Sequence, residues 1–368
     1  ISSCRPENKL QNTLPERTKK VAIDHAKGFS IEKIGEMTVI KINSPWPDAD
    51  AEFTYALIPK NSTALSSLNK EDYDAVVTVP VESIVVTSTT HIPALESLGV
   101  LDQLSGFPDT QYISSKEARK RIDAGQIKEL GNNEAINTEM VIELNPDVVV
   151  GFGISKQNKA YETLQRSNIP VVYNGDWTEE TPLGKAEWIK FFAPFFQKEM
   201  QADSIFNTIA QAYTKAIALA KKATHRPTVL SGALYKDVWY MPGGRSWAAT
   251  FLADANADYL FADTSETGSL SLSIEHVLDK GQMSEFWVSP SQFTSYETME
   301  EANRHYLQFN AFKRKKIYTF AKTMGATGGM LYYELAPQRP DLVLQDLIHI
   351  FHPELLPDHQ LFFFKPLD

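Results

Sequence analysis

With 368 residues, of which 43% are hydrophobic, the chain is too long for one average domain and apolar enough to bury two cores, so two lobes are expected. The 46 acidic and 36 basic residues leave a net charge of −10, which excludes a phosphate-backbone binder and hence a nucleic-acid partner, because such affinity rests on clustered Lys and Arg. No apolar run reaches the roughly 18 residues that cross a bilayer, and the single cysteine rules out an intrachain disulfide or a multi-cysteine metal site.

The chain opens Ile1-Ser2-Ser3-Cys4, an aliphatic residue and two small ones ahead of a cysteine. This resembles the end of a bacterial lipoprotein signal, in which that cysteine carries the lipid. The resemblance implies an anchor on Cys4 and a place in the cell envelope, facing the periplasm or at the cell surface. Residues 5–20 are polar, interrupted by prolines and without apolar periodicity, so 1–20 is read as a tether.

Met37–Ile42 and 53–58 are β-rich and separated by the turn cluster Pro45-Trp46-Pro47-Asp48, the pattern of a hairpin or meander. Strands follow at Ala75–Val79 and Ile84–Val86. The hydroxyl-rich turn Thr87-Ser88-Thr89-Thr90 then leads to a helix ending at Gly99, which the turn can cap. A polar helix is expected over 116–124, and a short one, Thr138–Leu144, feeds the strand Asp147-Val148-Val149-Val150. That strand and 168–173 are apolar without alternation, which places them in a mostly parallel sheet covered on both faces. Residues 21–181 thus form an α/β lobe.

From 182 to about 223 the aromatic and aliphatic residues Trp188, Phe191, Phe192, Phe195, Phe196, Ile205, Ile209 and Tyr213 recur at helical spacing. The reading is one long helix (182–224), bent near Pro194. Beyond it the order of the first lobe returns over 225–368. A strand at 228–230 passes through Gly243-Gly244 to a helix at 246–253, then a helix at 274–278 and the strand Phe286–Val288, a further strand at 317–320, and the amphipathic closing helix Pro340–Phe351. The expected fold class is α/β, with two lobes, each a mostly parallel sheet flanked by helices, joined by one long α-helix.

Four segments carry a resemblance that spans roughly residues 75 to 355: Glu139-Met140-Val141-Ile142-Glu143-Leu144-Asn145-Pro146-Asp147 with its strand, the turn Thr87–His91, the long helix after Glu180-Thr181-Pro182-Leu183-Gly184, and Trp239-Tyr240-Met241-Pro242-Gly243-Gly244-Arg245-Ser246 followed by Ala255-Asn256-Ala257-Asp258-Tyr259. In this order they resemble the substrate-binding proteins of ATP-driven importers for iron–siderophores, haem and cobalamin. The resemblance implies a monomer that holds such a ligand between its lobes and delivers it to an ABC permease dimer, with the membrane reached through the lipid anchor. It also implies one surface carboxylate per lobe that pairs with permease arginines. Glu139 and Glu275 match those positions, and two such carboxylates would let a symmetric permease sense the spacing of the lobes through charge-assisted hydrogen bonds.

In such an architecture the ligand sits where strand C-termini and helix N-termini of the two lobes meet. That places Thr89, Thr90, His91, Tyr112 and Trp177 at the first lobe's side and Trp239, Tyr240, Arg245, Trp247 and Tyr332 at the second's. Arg245 adds charge to the already positive end of a helix, which makes sense if an anionic group binds there. Aromatic faces with one cation suit a large, partly apolar, anionic ligand such as an iron–siderophore, haem or a corrinoid. The eight histidines are scattered without a ligating motif, and no nucleophile elbow or dinucleotide fingerprint occurs. No catalytic residue, metal site or resident cofactor is therefore expected. The rival expectation is a surface α/β enzyme or metal-ion-binding protein on the same architecture, since fold alone does not fix chemistry.

Overall fold

A computed structural model describes residues 18–368 apart from 44, 134 and 156, and apart from the side chain of Ser67. Cys4 and most of the expected tether lie outside the described residues. The end of that tether, Thr18–Lys20, forms a short exposed strand along Glu32, Lys33 and Ile34. Nothing in its polar sequence marks it as a strand, because it is an edge with no buried face.

Phe29–Ile34, Met37–Ile42 and Phe53–Pro59 continue the sheet in antiparallel order, and Ala75–Val79 adds to it in parallel. Alternation divides its side chains. Phe29, Ile31, Ile40, Ile42, Tyr55 and Leu57 enter the first lobe's core, whereas Met37, Val39, Ala56 and Ile58 pack beneath Leu65, Leu68 and Tyr73. This N-terminal sheet is therefore a layer fused to the first lobe and separate from its parallel sheet.

The first lobe's parallel sheet runs in the order Val171–Tyr173, Val148–Gly151, Ile84–Val86, Leu104–Phe107, Lys128–Glu129. Val148, Val149 and Val150 are sealed from solvent, as their unbroken apolar run requires. In the second lobe the order is Asp258–Tyr259, Thr228–Ser231, Phe286–Val288, Ile317–Thr319, closed by Lys365–Pro366 running antiparallel. The helices Thr138–Leu144 and Ile274–Gly281 occupy equivalent places. Each immediately precedes the strand that lies beside the first strand of its own sheet.

The expected single helix over 182–224 is three: Pro182–Glu187, Ile189–Phe196 and Glu199–Ala220. The sharp break falls at Gln197, in the left-handed region (φ 56, ψ 43), whose N–H closes onto the carbonyls of Ala193 and Pro194. A left-handed residue ends a helix because its backbone turns away while satisfying the last carbonyls. Phe191, Phe192, Phe195 and Phe196 fill the first core before that break. The 22-residue helix after it buries Ala202, Phe206 and Ile209 in the first core and Tyr213, Ala216 and Ala220 in the second, so this one element joins the two lobes.

Candidate functional site: an aromatic cleft between the lobes

A cavity of about 900 Å³ opens between the turn 46–49 that joins two strands of the N-terminal sheet, the loop 177–180 of the first lobe, and the second lobe's hairpin and helix N-terminus around 231–247. A smaller one, about 290 Å³, adjoins it and shares Tyr333 as a wall. Among the described residues six aromatic side chains are substantially exposed: Tyr112, Trp177, Tyr235, Tyr240, Tyr333 and Phe362. The first five all line these two cavities. Exposed apolar surface gathered at one concave place marks a binding site, whereas single exposed aromatics scattered over a surface do not.

Strand alternation builds the second lobe's wall. In Val238–Pro242, Trp239 and Met241 point inward and Tyr240 outward. Trp239 is sealed from solvent, stacks on Trp287 at 5.3 Å and donates its indole N–H to the Ser231 carbonyl at 3.0 Å. It is a core residue and not a ligand contact, because neighbouring positions of a strand face opposite ways. Tyr240 and Tyr235 remain on the cavity side. Trp247, half-buried at the start of Trp247–Asp254, and Tyr332, stacked on Phe320 at 4.2 Å, complete the floor.

Arg245 is exposed and lies outside both cavities. The helix start behind it is capped by Ser246, whose hydroxyl accepts from the Ala249 N–H at 3.2 Å, so the local anomaly in charge does not mark an anion site in the cleft. The cation in the cleft is Lys185. Its Nζ donates to the carbonyls of Asp176 and Trp177, each at 3.1 Å, and sits 5.3 Å from the centre of the Trp247 ring. Burial pushes the Lys185 pKa down, against the pull of Asp176 and Glu179. Arg245 stands at the start of a helix, whereas Lys185 lies in the last turn of its own short helix, where a cation complements the dipole, so nothing in the sequence marks it for the cleft. Trp46 and Asp48 are further site residues that the sequence does not single out; a tryptophan in a proline-rich turn is the signal.

On the first lobe's side the 3₁₀ turn Thr89–His91 is capped by Ser88. Thr89 and Tyr112 line the smaller cavity. Thr90 donates its hydroxyl to Asp176 at 2.6 Å, an interaction internal to the lobe. His91 is completely buried, 5.3 Å from Phe192, and burial holds its pKa below the usual histidine value against the opposing influence of Asp176. It is a core residue. Glu179 is fixed at the back of the main cavity, accepting from the N–H groups of Lys27 and Gly28, each at 2.8 Å, and from the Trp188 indole at 3.1 Å.

Glu139 and Glu275 are exposed in the first turns of their equivalent helices. Glu275's own backbone N–H, then Ser273, hold its carboxyl below the usual range, so it stays ionised.

The sequence pattern of the periplasmic binding protein family matches residues 84–324. An uncharacterized lipoprotein of Methanocaldococcus jannaschii is 27% identical over 298 residues, which are 78% of this chain and 69% of the relative. Among solved structures, a possible iron-binding (periplasmic solute-binding) protein from Staphylococcus epidermidis superposes with a TM-score of 0.58 at 19% identity, over 74% of this chain and 99% of its own. A periplasmic haem-binding protein from Pseudomonas aeruginosa gives 0.56 at 18% identity, over 74% and 93%.

Proposed function

The chain belongs to the periplasmic binding protein family, and we propose that it is the substrate-binding component of an ABC importer, capturing an iron–siderophore or corrinoid-type ligand in the interlobe cleft and handing it to the permease. The observation that carries this reading is the convergence of Tyr112, Trp177, Tyr235, Tyr240 and Tyr333 on one pair of adjoining cavities. Flat aromatic faces suit the broad apolar surfaces of such ligands. A lipid anchor at Cys4 would keep the chain beside its permease, and its lipoprotein relative supports that arrangement. The rival reading, a surface enzyme or metal-ion-binding protein, gains no observation of its own: among the described residues no group of His, Cys, Asp or Glu is placed to hold a metal ion.

Delivery is assigned to Glu139 and Glu275. They occupy matching positions in the two lobes, both ahead of the strand beside the first strand of each sheet, and an exposed carboxylate at each suits arginines on a two-fold permease. The double change E139A/E275A is expected to leave ligand binding unchanged, since neither residue lines the cleft. Uptake of radio-iron chelates or radio-cobalt cobalamin by cells carrying that variant should fall by about tenfold or more. Undiminished uptake would remove the docking assignment.

A further inference from the structure

The charge lining the cleft narrows the ligand further. Its carboxylates are Asp48, Glu179 and Glu180; against them stands the single ammonium of Lys185, with no arginine. That ammonium is already solvated by two carbonyls and the face of Trp247, so it has little left to offer an incoming anion. Asp48 and Glu180 line the cavity and are exposed. The adjoining cavity contains one further charged residue, Asp109. Lys236, outside the lining, stands 5.5 Å from the centre of the Tyr235 ring, and Asp237 follows it in the chain.

We propose that the cleft takes ligands with apolar faces that are uncharged or positively charged, and rejects anionic chelates. The inference rests on the transport reading above. A cleft with an excess of one sign of charge and apolar walls concentrates its field, raising the local population of the opposite charge. Aromatic faces add to this, because the ring quadrupole attracts cations and repels anions. An anionic chelate would have to shed water against the exposed carboxylates of Asp48 and Glu180 with one engaged ammonium as compensation, a costly exchange.

Part of this selectivity comes from outside the region shared with the family. Trp46 and Asp48 stand in the turn between the strands Met37–Ile42 and Phe53–Pro59 of the N-terminal sheet, whereas the family pattern begins at residue 84. Trp46 is held edge-on by Phe53 at 6.0 Å and Tyr173 at 5.6 Å, and it packs where a side chain on Gly153 would otherwise stand. This turn thus supplies a third wall carrying a carboxylate.

The test is a charge series read by quenching of tryptophan fluorescence in the whole chain: ferrioxamine B and cobinamide as cations, ferrichrome and cyanocobalamin as neutral ligands, and ferric enterobactin and haemin as anions. At least one cationic or neutral member is expected to bind, about tenfold or more tighter than either anion. In D48N/E180Q, near-isosteric changes at exposed positions, cation affinity should drop about threefold or more, and by more than that of the neutral member. An anion that binds as tightly as the best cation or neutral ligand overturns the inference and leaves the transport reading standing. If none of the six binds, both fall.

Discussion

Glu334 belongs to the second lobe, yet its carboxylate accepts from the backbone N–H groups of Ser114 and Ser115 in the first, at 2.5 and 2.8 Å. Burial pushes its pKa up to about 7, against the pull of those two N–H groups, and nearby Glu96 adds to the rise. A carboxyl whose folded pKa exceeds its unfolded value binds more protons in the folded state. Its stabilising contribution is therefore full below about 4.5 and is lost as pH rises through about 7. Between pH 5 and 8 this one group should cost about 2 to 3 kcal/mol of stability. In E334Q the amide sets an N–H against one of the serine N–H groups, so the variant is weaker at low pH. Its stability should nevertheless lack this fall, and thermal melts of both proteins across pH 5 to 8 read the difference in slope. Equal slopes would show that Glu334 does not titrate in this window. Individual residues are where the sequence was least legible. Tyr240, Trp247, Trp177 and Tyr332 could be placed at the cleft from order and residue type, but Trp239 and His91 could not be recognised as core, because their burial depends on strand phase and on Phe192, which lies about a hundred residues further on. Arg245, ahead of a helix, and Lys185, in the last turn of one, are told apart only by the packing, which puts the lysine in the cleft and the arginine outside it.

Secondary elements were more legible, for reasons that differ from one to the next. The strands Val148–Gly151 and Phe286–Val288 announce themselves because burial on both faces demands continuous apolar residues. The break at Gln197 does not, since a left-handed helix end usually shows a glycine and here a glutamine adopts it. The hairpin Ala233–Tyr235 with Val238–Pro242 is an element whose geometry hangs on one residue. Gly232, at φ 79, leads into it, and a Cβ there would overlap the carbonyl oxygen of Tyr240. Gly232→Ala must therefore both adopt a left-handed backbone and displace the opposite strand, at about 2 to 4 kcal/mol. Gly268 lines the same cavity with open space around its Cα, so Gly268→Ala is the control and should be nearly neutral. Urea unfolding of the two variants separates the cases, and for Gly232→Ala affinity for the ligand identified in the charge series should fall together with stability as Tyr235 and Tyr240 shift. Equal stabilities would mean that the hairpin can move without cost.

At the scale of the whole molecule, the two-lobed plan was readable because strand, helix, short helix and strand recur in the same order on both sides of the connecting segment. The way the lobes touch was not, since it depends on surfaces far apart in sequence. Beyond Glu334, Ser114 donates its hydroxyl to the Gly329 carbonyl at 2.9 Å, Thr327 to that of Gln111 at 2.6 Å, and the Gln338 amide to the Ser97 hydroxyl at 2.8 Å. These bonds fasten residues 325–338 of the second lobe onto the first, along the wall of the smaller cavity that Tyr112, Gly329 and Tyr333 share. Gly329 sits where the approach is closest: a Cβ there would overlap the Tyr112 carbonyl oxygen and stand 3.1 Å from the Ser114 hydroxyl. Backbone on the far side cannot rotate away as a flexible side chain could, so Gly329→Ala acts as a wedge between the lobes. Each lobe keeps its own core, and the stability loss should stay within about 1 to 3 kcal/mol. The expected signature is a larger radius of gyration in small-angle scattering together with weaker binding of whichever ligand the unaltered chain holds, because the cavity walls belong to different lobes. Unchanged scattering and unchanged affinity would mean that the contact adapts locally and that the spacing of the lobes is set elsewhere, by the 22-residue helix that runs through both cores.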